Sequence, residues 1–197
     1  MKKLTLYGPF SQLLRLENLP LKGRLNDEDL LIQRGQGILV EDGTIVEIGT
    51  FERLAAKHSK AALATENFQN LVALPAFVDC HTHICWGGTR VNDYAMRVAG
   101  KSYLEIAAAG GGIMDTVTAT RAASPKILLE NMLERIDQHI RRGIAVIEVK
   151  SGYGLTVADE LKMLECIKTA QQETSATLIP TFLGAHIKPK DFEGSHA

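Results

Sequence analysis

Three apolar, β-rich runs separated by stretches with helical periodicity constrain this chain more than anything else in it. Leu71-Val-Ala-Leu-Pro-Ala-Phe-Val-Asp79 is almost continuously apolar, as a strand buried on both faces would be. Pro75 has no N–H to donate and must lie at an edge or entry of that run. Ile144-Ala-Val-Ile-Glu-Val149 and Ala176-Thr-Leu-Ile-Pro-Thr-Phe-Leu183 repeat the pattern. After the first run comes a long polar, glycine-rich connection. Ser124-Pro125 then opens a helix, with Ser at the N-cap and Pro at the first helical position. Leu129, Leu133, Ile136 and Ile140 follow as one apolar stripe, and Gly143 ends the helix. Thr156 caps a second helix whose inner side carries Leu161, Leu164, Ile167 and Ala170. Such alternation predicts βαβ units and a parallel sheet, an α/β fold.

Residues 1–70 read differently, as all-β. Gly37-Ile-Leu-Val-Glu-Asp-Gly-Thr-Ile-Val-Glu-Ile48 holds two β-rich runs around Asp42-Gly43, the dipeptide that best suits a tight hairpin turn with positive φ. Phe51 to Lys60 suits one short helix, and Asn67 to Leu74 returns to extended chain. The expected organisation is therefore a β domain over 1–70 and an α/β domain over 71–197. A closed (β/α)8 barrel takes about 250 residues. About 127 remain here (197 minus 70), so a barrel would be present only in its first part. Asp191 to Ala197 reads as a loop.

Composition narrows the function classes. With 22 Lys+Arg against 23 Asp+Glu the net charge is −1, which argues against a nucleic-acid or anionic-membrane partner. A hydrophobic share of 45% excludes a disordered chain. No apolar run approaches the roughly 20 residues of a membrane span, and Met1-Lys-Lys-Leu-Thr5 lacks the form of a signal peptide. Cys80, Cys85 and Cys166 are an odd set, which reads as small buried thiols in a cytoplasmic protein.

His81-Thr82-His83 follows the first apolar run directly. Alternate strand residues share a face, so both imidazoles point to one side at the carboxyl end of the strand. Barrel active sites gather at that end, and two neutral imidazoles there suit a divalent or trivalent metal. A rival reading joins Cys80, His81, His83 and Cys85 in a structural zinc site. Cys80 has the opposite parity, so an extended segment cannot converge all four. Other features have plainer alternatives. Arg90 can be a surface arginine, Tyr153 a loop anchor and His186 a structural histidine. The Gly110-Gly-Gly112 segment can cradle an anion or simply form a loop near the site. Glu148 reads as a satisfied strand-end carboxylate, and His58, His139 and His196 as solvated.

Pro75-Ala-Phe-Val-Asp79-Cys-His81-Thr-His83 resembles the amidohydrolase-superfamily signature, with Ala76 in place of its usual glycine. Trp86-Gly-Gly-Thr-Arg90, Ala108-Ala-Gly-Gly-Gly-Ile113, Thr120-Arg-Ala-Ala-Ser124, Glu148-Val-Lys-Ser-Gly-Tyr-Gly154 and Thr181-Phe-Leu-Gly-Ala-His186 follow. In this order they resemble the imidazolonepropionase family from about Gly37 to the last residue.

The resemblance implies an amidohydrolase-type (β/α)8 barrel, present in its first part, with a small composite β-sandwich. It implies a cytoplasmic enzyme that opens the ring of a small-molecule substrate, 4-imidazolone-5-propanoate, to N-formimidoyl-L-glutamate, using zinc or iron. His81 and His83 match the family's metal ligands. Arg90, Tyr153 and His186 match its substrate contacts, and His186 is also the catalytic candidate. The family's further His and Asp ligands come from later strands. Lys150 resembles the carbamylated lysine of two-metal relatives but follows the wrong strand for that role. A homodimer is compatible with the family. The alternatives are another cyclic-amide hydrolase or deaminase of the superfamily, or an inactive fragment that only binds metal or a partner.

Overall fold

The computed structural model describes residues 3–20, 22–64, 68–184 and 186–188. The segment from Asp191 to Ala197, with His196, lies outside them, as does Asn67. The chain divides into two units, Met1–Pro75 and Ala76–Ala197.

In the first unit the strands are β1 (Leu4–Phe10), β2 (Gln12–Leu13), β3 (Gln36–Glu41) and β4 (Thr44–Thr50). Helix α1 (Phe51–Lys57), β5 (Ala62–Ala64) and β6 (Val72–Ala73) follow. One sheet has the order β4-β3-β1-β5, antiparallel except for the β1–β5 pair. Asp42 (φ 47°) and Gly43 (φ 84°) make the two-residue turn between β3 and β4, where the positive φ values favour the Asp-Gly sequence. Leu6, Leu39 and Leu54 form a fully buried centre beside Ala61. The helix is pinned to the sheet by charge: Glu47 on β4 accepts hydrogen bonds from Arg53 (3.0 Å) and Lys57 (2.9 Å), and lies 3.0 Å from His58 Nε2. These partners, Lys57 foremost, bring the Glu47 carboxyl down to about 2. His58 is thus held in an ion cluster rather than solvated.

The run from Leu71 to Asp79 is two strands, not one. Val72–Ala73 pairs in parallel with Gln12–Leu13 as β6 with β2, and Pro75 follows as the break. The next strand, β7 (Phe77–Thr82), begins the second unit. Its start is not buried on both faces: Phe77 and Val78 are 55% and 62% exposed. It stands at the edge of the sheet formed by the described residues, β7-β8-β9, all parallel.

The connection after β7 contains three helices that its polar, glycine-rich sequence conceals: α2 (Val91–Val98), α3 (Tyr103–Ala108) and α4 (Ile113–Ala122). Ser102 and Glu105 form a reciprocal capping box at the start of α3. Helix α5 (Pro125–Arg141) begins with Ser124 accepting from the Ile127 N–H, and strand β8 (Ile144–Lys150) follows. Helix α6 (Val157–Glu173) is capped by Thr156 and leads to β9 (Thr177–Thr181).

The stripe that reaches the core is rotated from the sequence reading. On α5 the buried residues are Leu128, Met132 and Ile136; Leu129 and Leu133 pack at the margin and Ile140 is exposed. On α6 Met163, Cys166, Ile167 and Ala170 are buried, while Leu161 is exposed. Both helices carry more apolar residues than one face can bury, and contact with Ile147, Val149 and Leu178 of the sheet selects among them. Cys85 and Cys166 are buried thiols, Cys85 being pushed by burial up to about 12, whereas Cys80 is exposed rather than buried.

Candidate active site

The carboxyl ends of the three parallel strands carry the aromatic side chains that the motifs single out. His81 lies in β7 and His83 just beyond it. Tyr153 follows β8, and His186 follows β9. The His81 and His83 ring centroids are 5.6 Å apart, edge to face. His83 stacks on His186 at 5.0 Å with an 18° interplanar angle, and Tyr153 lies 5.4 Å from His83 and 5.3 Å from His186. Strand parity brings the first two together, as the pattern predicts. The other two arrive because adjacent parallel strands end at the same level.

His83 has the chemistry of a metal ligand. Its Nδ1 is buried and has no hydrogen-bond partner among the described residues, which is costly for a polar atom unless something else occupies it. Burial pushes its imidazole below the ordinary histidine value. The charges of His186, Lys150 and His81 push the same way, against Glu148. A neutral imidazole is the form that binds a cation. Among the described residues no group of three or more His, Cys, Asp or Glu is placed to hold a metal.

Around these rings the backbone is held by side chains. Asp79 Oδ1 accepts from the His81 N–H at 3.3 Å, and Asp79 Oδ2 lies 3.6 Å from His139 Nε2. His139 also donates from Nδ1 to the Arg135 carbonyl at 2.8 Å, so it is a fixed structural group and not a solvated one. Glu148 accepts from the Thr82 N–H at 3.2 Å and from Lys150. Burial raises its carboxyl, but bonds from Lys150, Thr181 and Thr82 outweigh that and hold it below the usual range.

Arg90 stands beside the ring cluster. Its Nε donates to Thr116 Oγ1 at 2.6 Å and its Nη1 to Asp93 Oδ2 at 2.9 Å. Burial raises the Tyr153 phenol above its ordinary value, and the charge of Arg90 acts in the opposite direction. The Trp86–Arg90 segment is fixed by Arg135, whose guanidinium lies 3.9 Å over the Trp86 ring and donates to the Ile84 and Trp86 carbonyls. In the Gly110-Gly-Gly112 segment, the Gly112 N–H donates to Asp93 at 2.9 Å and so anchors to the same carboxylate as Arg90.

Sequence reasoning missed Asp93, Thr116, Arg135 and Glu160. Each is of a type that more often faces solvent, and its partners lie in other elements.

No protein-family model matches the chain. It is 44% identical over 157 residues to a protein of Ruegeria pomeroyi named imidazolonepropionase, covering 80% of this chain and 39% of that relative. A Symbiobacterium thermophilum protein of the same name is 41% identical over 166 residues, covering 84% and 39%. The chain thus spans about 39% of the length of these curated relatives. Among solved structures it is similar to guanine deaminase of E. coli (TM-score 0.57, 14% identity, 91% of this chain and 36% of that one). It is also similar to ochratoxinase of A. niger (TM-score 0.53, 14% identity, 91% and 31%). At such identities the likeness concerns the fold alone. The chain is similar to the imidazolonepropionases over about 39% of their length, and its α/β fold is similar to that of the solved structures named above.

Proposed function

We propose that this chain forms the N-terminal part of a metal-dependent hydrolase that opens the ring of 4-imidazolone-5-propanoate to N-formimidoyl-L-glutamate. One observation carries the reading: His83, with a buried Nδ1 that has no partner among the described residues, lies against Tyr153 and His186 at the carboxyl ends of parallel strands. The relatives' name supports the substrate. In this reading residues 71–197 begin a (β/α)8 barrel and residues 1–70 contribute to a β-sandwich. The enzyme works in the cytoplasm. Among the described residues no helix is long and apolar enough to cross a membrane.

His81 and His83 would hold a zinc or iron ion, with later parts of the full-length enzyme completing its shell. Such an ion, when bound, lowers the pKa of water from 15.7 to about 7 and polarises the scissile carbonyl. Arg90, already oriented by Thr116 and Asp93, meets the propanoate carboxylate. Tyr153 stays a neutral phenol and donates a hydrogen bond to the ring. His186 donates from Nδ1 to the Gly152 carbonyl at 2.8 Å, because a carbonyl only accepts. Neutral His186 therefore has an unprotonated Nε2 that can take up a proton during ring opening.

Isothermal titration of zinc into the chain at neutral pH tests the ligand assignment. Weak binding that disappears in the His81→Ala/His83→Ala variant is expected. Submicromolar affinity that survives loss of both histidines overturns it.

A further inference from the structure

Glu160 is a buried carboxylate with no role in the chemistry above. It is 4% exposed and lies in the first turns of α6. Its oxygens accept three backbone hydrogen bonds from one loop: Gly152 N–H to Oε2, and Gly154 and Leu155 N–H to Oε1, each at 2.8 Å. Tyr153 sits between the first two donors. The same loop presents the Gly152 carbonyl to His186 Nδ1. Gly152 has φ +109°, and a Cβ there would come within 2.9 Å of His186 Nδ1 and 3.1 Å of the Leu183 carbonyl, so loop and histidine are closely fitted. Ser151 completes the attachment: its N–H donates to the Thr181 carbonyl at 2.9 Å and its hydroxyl accepts from the Leu183 N–H at 3.1 Å.

We infer that Glu160 is a positioning residue that fixes both the placement of Tyr153 and the tautomer of His186. Turn propensity alone does not hold the loop from Ser151 to Leu155, since Leu155 itself has φ +56°. A carboxylate has the acceptor sites to serve all three N–H groups and brings no hydrogen of its own to oppose them. A carboxamide does not: its oxygen can serve Gly154 and Leu155, but its NH2 then faces the Gly152 N–H, donor against donor. The Ser151–Gly152 peptide turns away, and the next peptide, Gly152–Tyr153, moves with it, so that the Gly152 carbonyl leaves His186 Nδ1. Glu160 thus acts on the site from behind, by holding the two peptides that flank the one whose carbonyl His186 meets. The consequence for catalysis rests on the reading in which Tyr153 and His186 meet substrate; the positioning itself does not.

The test compares the wild-type chain with Glu160→Gln and Glu160→Asp by long-range 1H–15N spectra of the histidine rings at mildly alkaline pH. Wild type is expected to show neutral His186 mainly as the Nδ1–H form. Glu160→Gln is expected to shift the tautomer ratio about fivefold or more toward Nε2–H, the worth of one hydrogen bond. It should also weaken the Tyr153–His186 ring contacts. Glu160→Asp keeps the charge on a shorter arm and should fall between; it serves if the carboxamide variant fails to fold. Folded variants that keep the wild-type ratio and ring contacts overturn the inference. Ring opening is then measured for the same variants in an enzyme of the relatives' full length. A lower kcat beside the tautomer change supports both readings. A tautomer change with unaltered kcat and KM supports the positioning role and counts against substrate contact by Tyr153 and His186.

Discussion

Glu148 on β8 accepts a hydrogen bond from the backbone N–H of Thr82 on β7, at 3.2 Å, between the two histidines of the His81-Thr82-His83 motif. The side chain of Thr82 returns a bond to the Glu148 carbonyl. The pair clasps the ends of neighbouring strands where the rings emerge. Lys150 completes it: its ammonium bonds the same carboxylate and its side chain is 12% exposed.

Glu148→Ala should therefore cost more than the loss of one contact. It leaves the Lys150 charge largely buried without its partner, for which about 3–5 kcal/mol is typical. Glu148→Gln keeps an acceptor for Thr82 and should cost less. Urea denaturation of the three proteins decides the matter. Equal midpoints for wild type and Glu148→Ala would show that the clasp carries no weight.

Arg90→Lys should weaken substrate binding in the full-length enzyme, because a point charge replaces a planar fork. Losing a well-formed charged contact costs about 2 kcal/mol, or about thirtyfold in KM. Thr116→Val should have a smaller effect in the same direction, since it removes the hydroxyl that accepts from Arg90 Nε at 2.6 Å. Kinetics of Arg90→Lys within twofold of wild type would exclude Arg90 as the carboxylate clamp.

The Glu47 cluster predicts a pH dependence for the first unit. Its carboxyl, at about 2, lies below the ordinary glutamate value of about 4.3 in an unfolded chain. The stability it contributes is thus fully present above that ordinary value and is lost as pH falls toward 2. Glu47→Gln should flatten the acid limb of stability against pH between about 5 and 2. Parallel limbs for the two proteins, followed by urea midpoints, would contradict the prediction.

What the sequence made legible was local. Asp42-Gly43, Ser124-Pro125 and Thr156 each satisfy their own neighbouring backbone, so their roles need no knowledge of the rest of the fold. The convergence of His81 and His83 follows from strand parity alone. Ser102 and Glu105 offered the same kind of signal for α3, hidden by the glycines around it. The choice of Met163 over Leu161 was not legible, because it depends on where the sheet lies against α6. Glu148 was legible as a satisfied strand-end carboxylate. Glu160 was hardest: as a carboxylate it looks like a solvated charge, and only the folded backbone brings it the N–H groups that explain its burial.

The parallel order β7-β8-β9 follows chain order, and each strand end delivers its own part of the ring cluster. Synthesis from the N-terminus therefore completes this face one strand–helix unit at a time. The histidines of β7 emerge first, Tyr153 joins when β8 docks beside them, and His186 comes last. Until then the apolar margin of β8 that β9 will cover stays open to chaperones, and a slip in pairing at that stage would carry a ring out of the cluster by about 3.3 Å per residue.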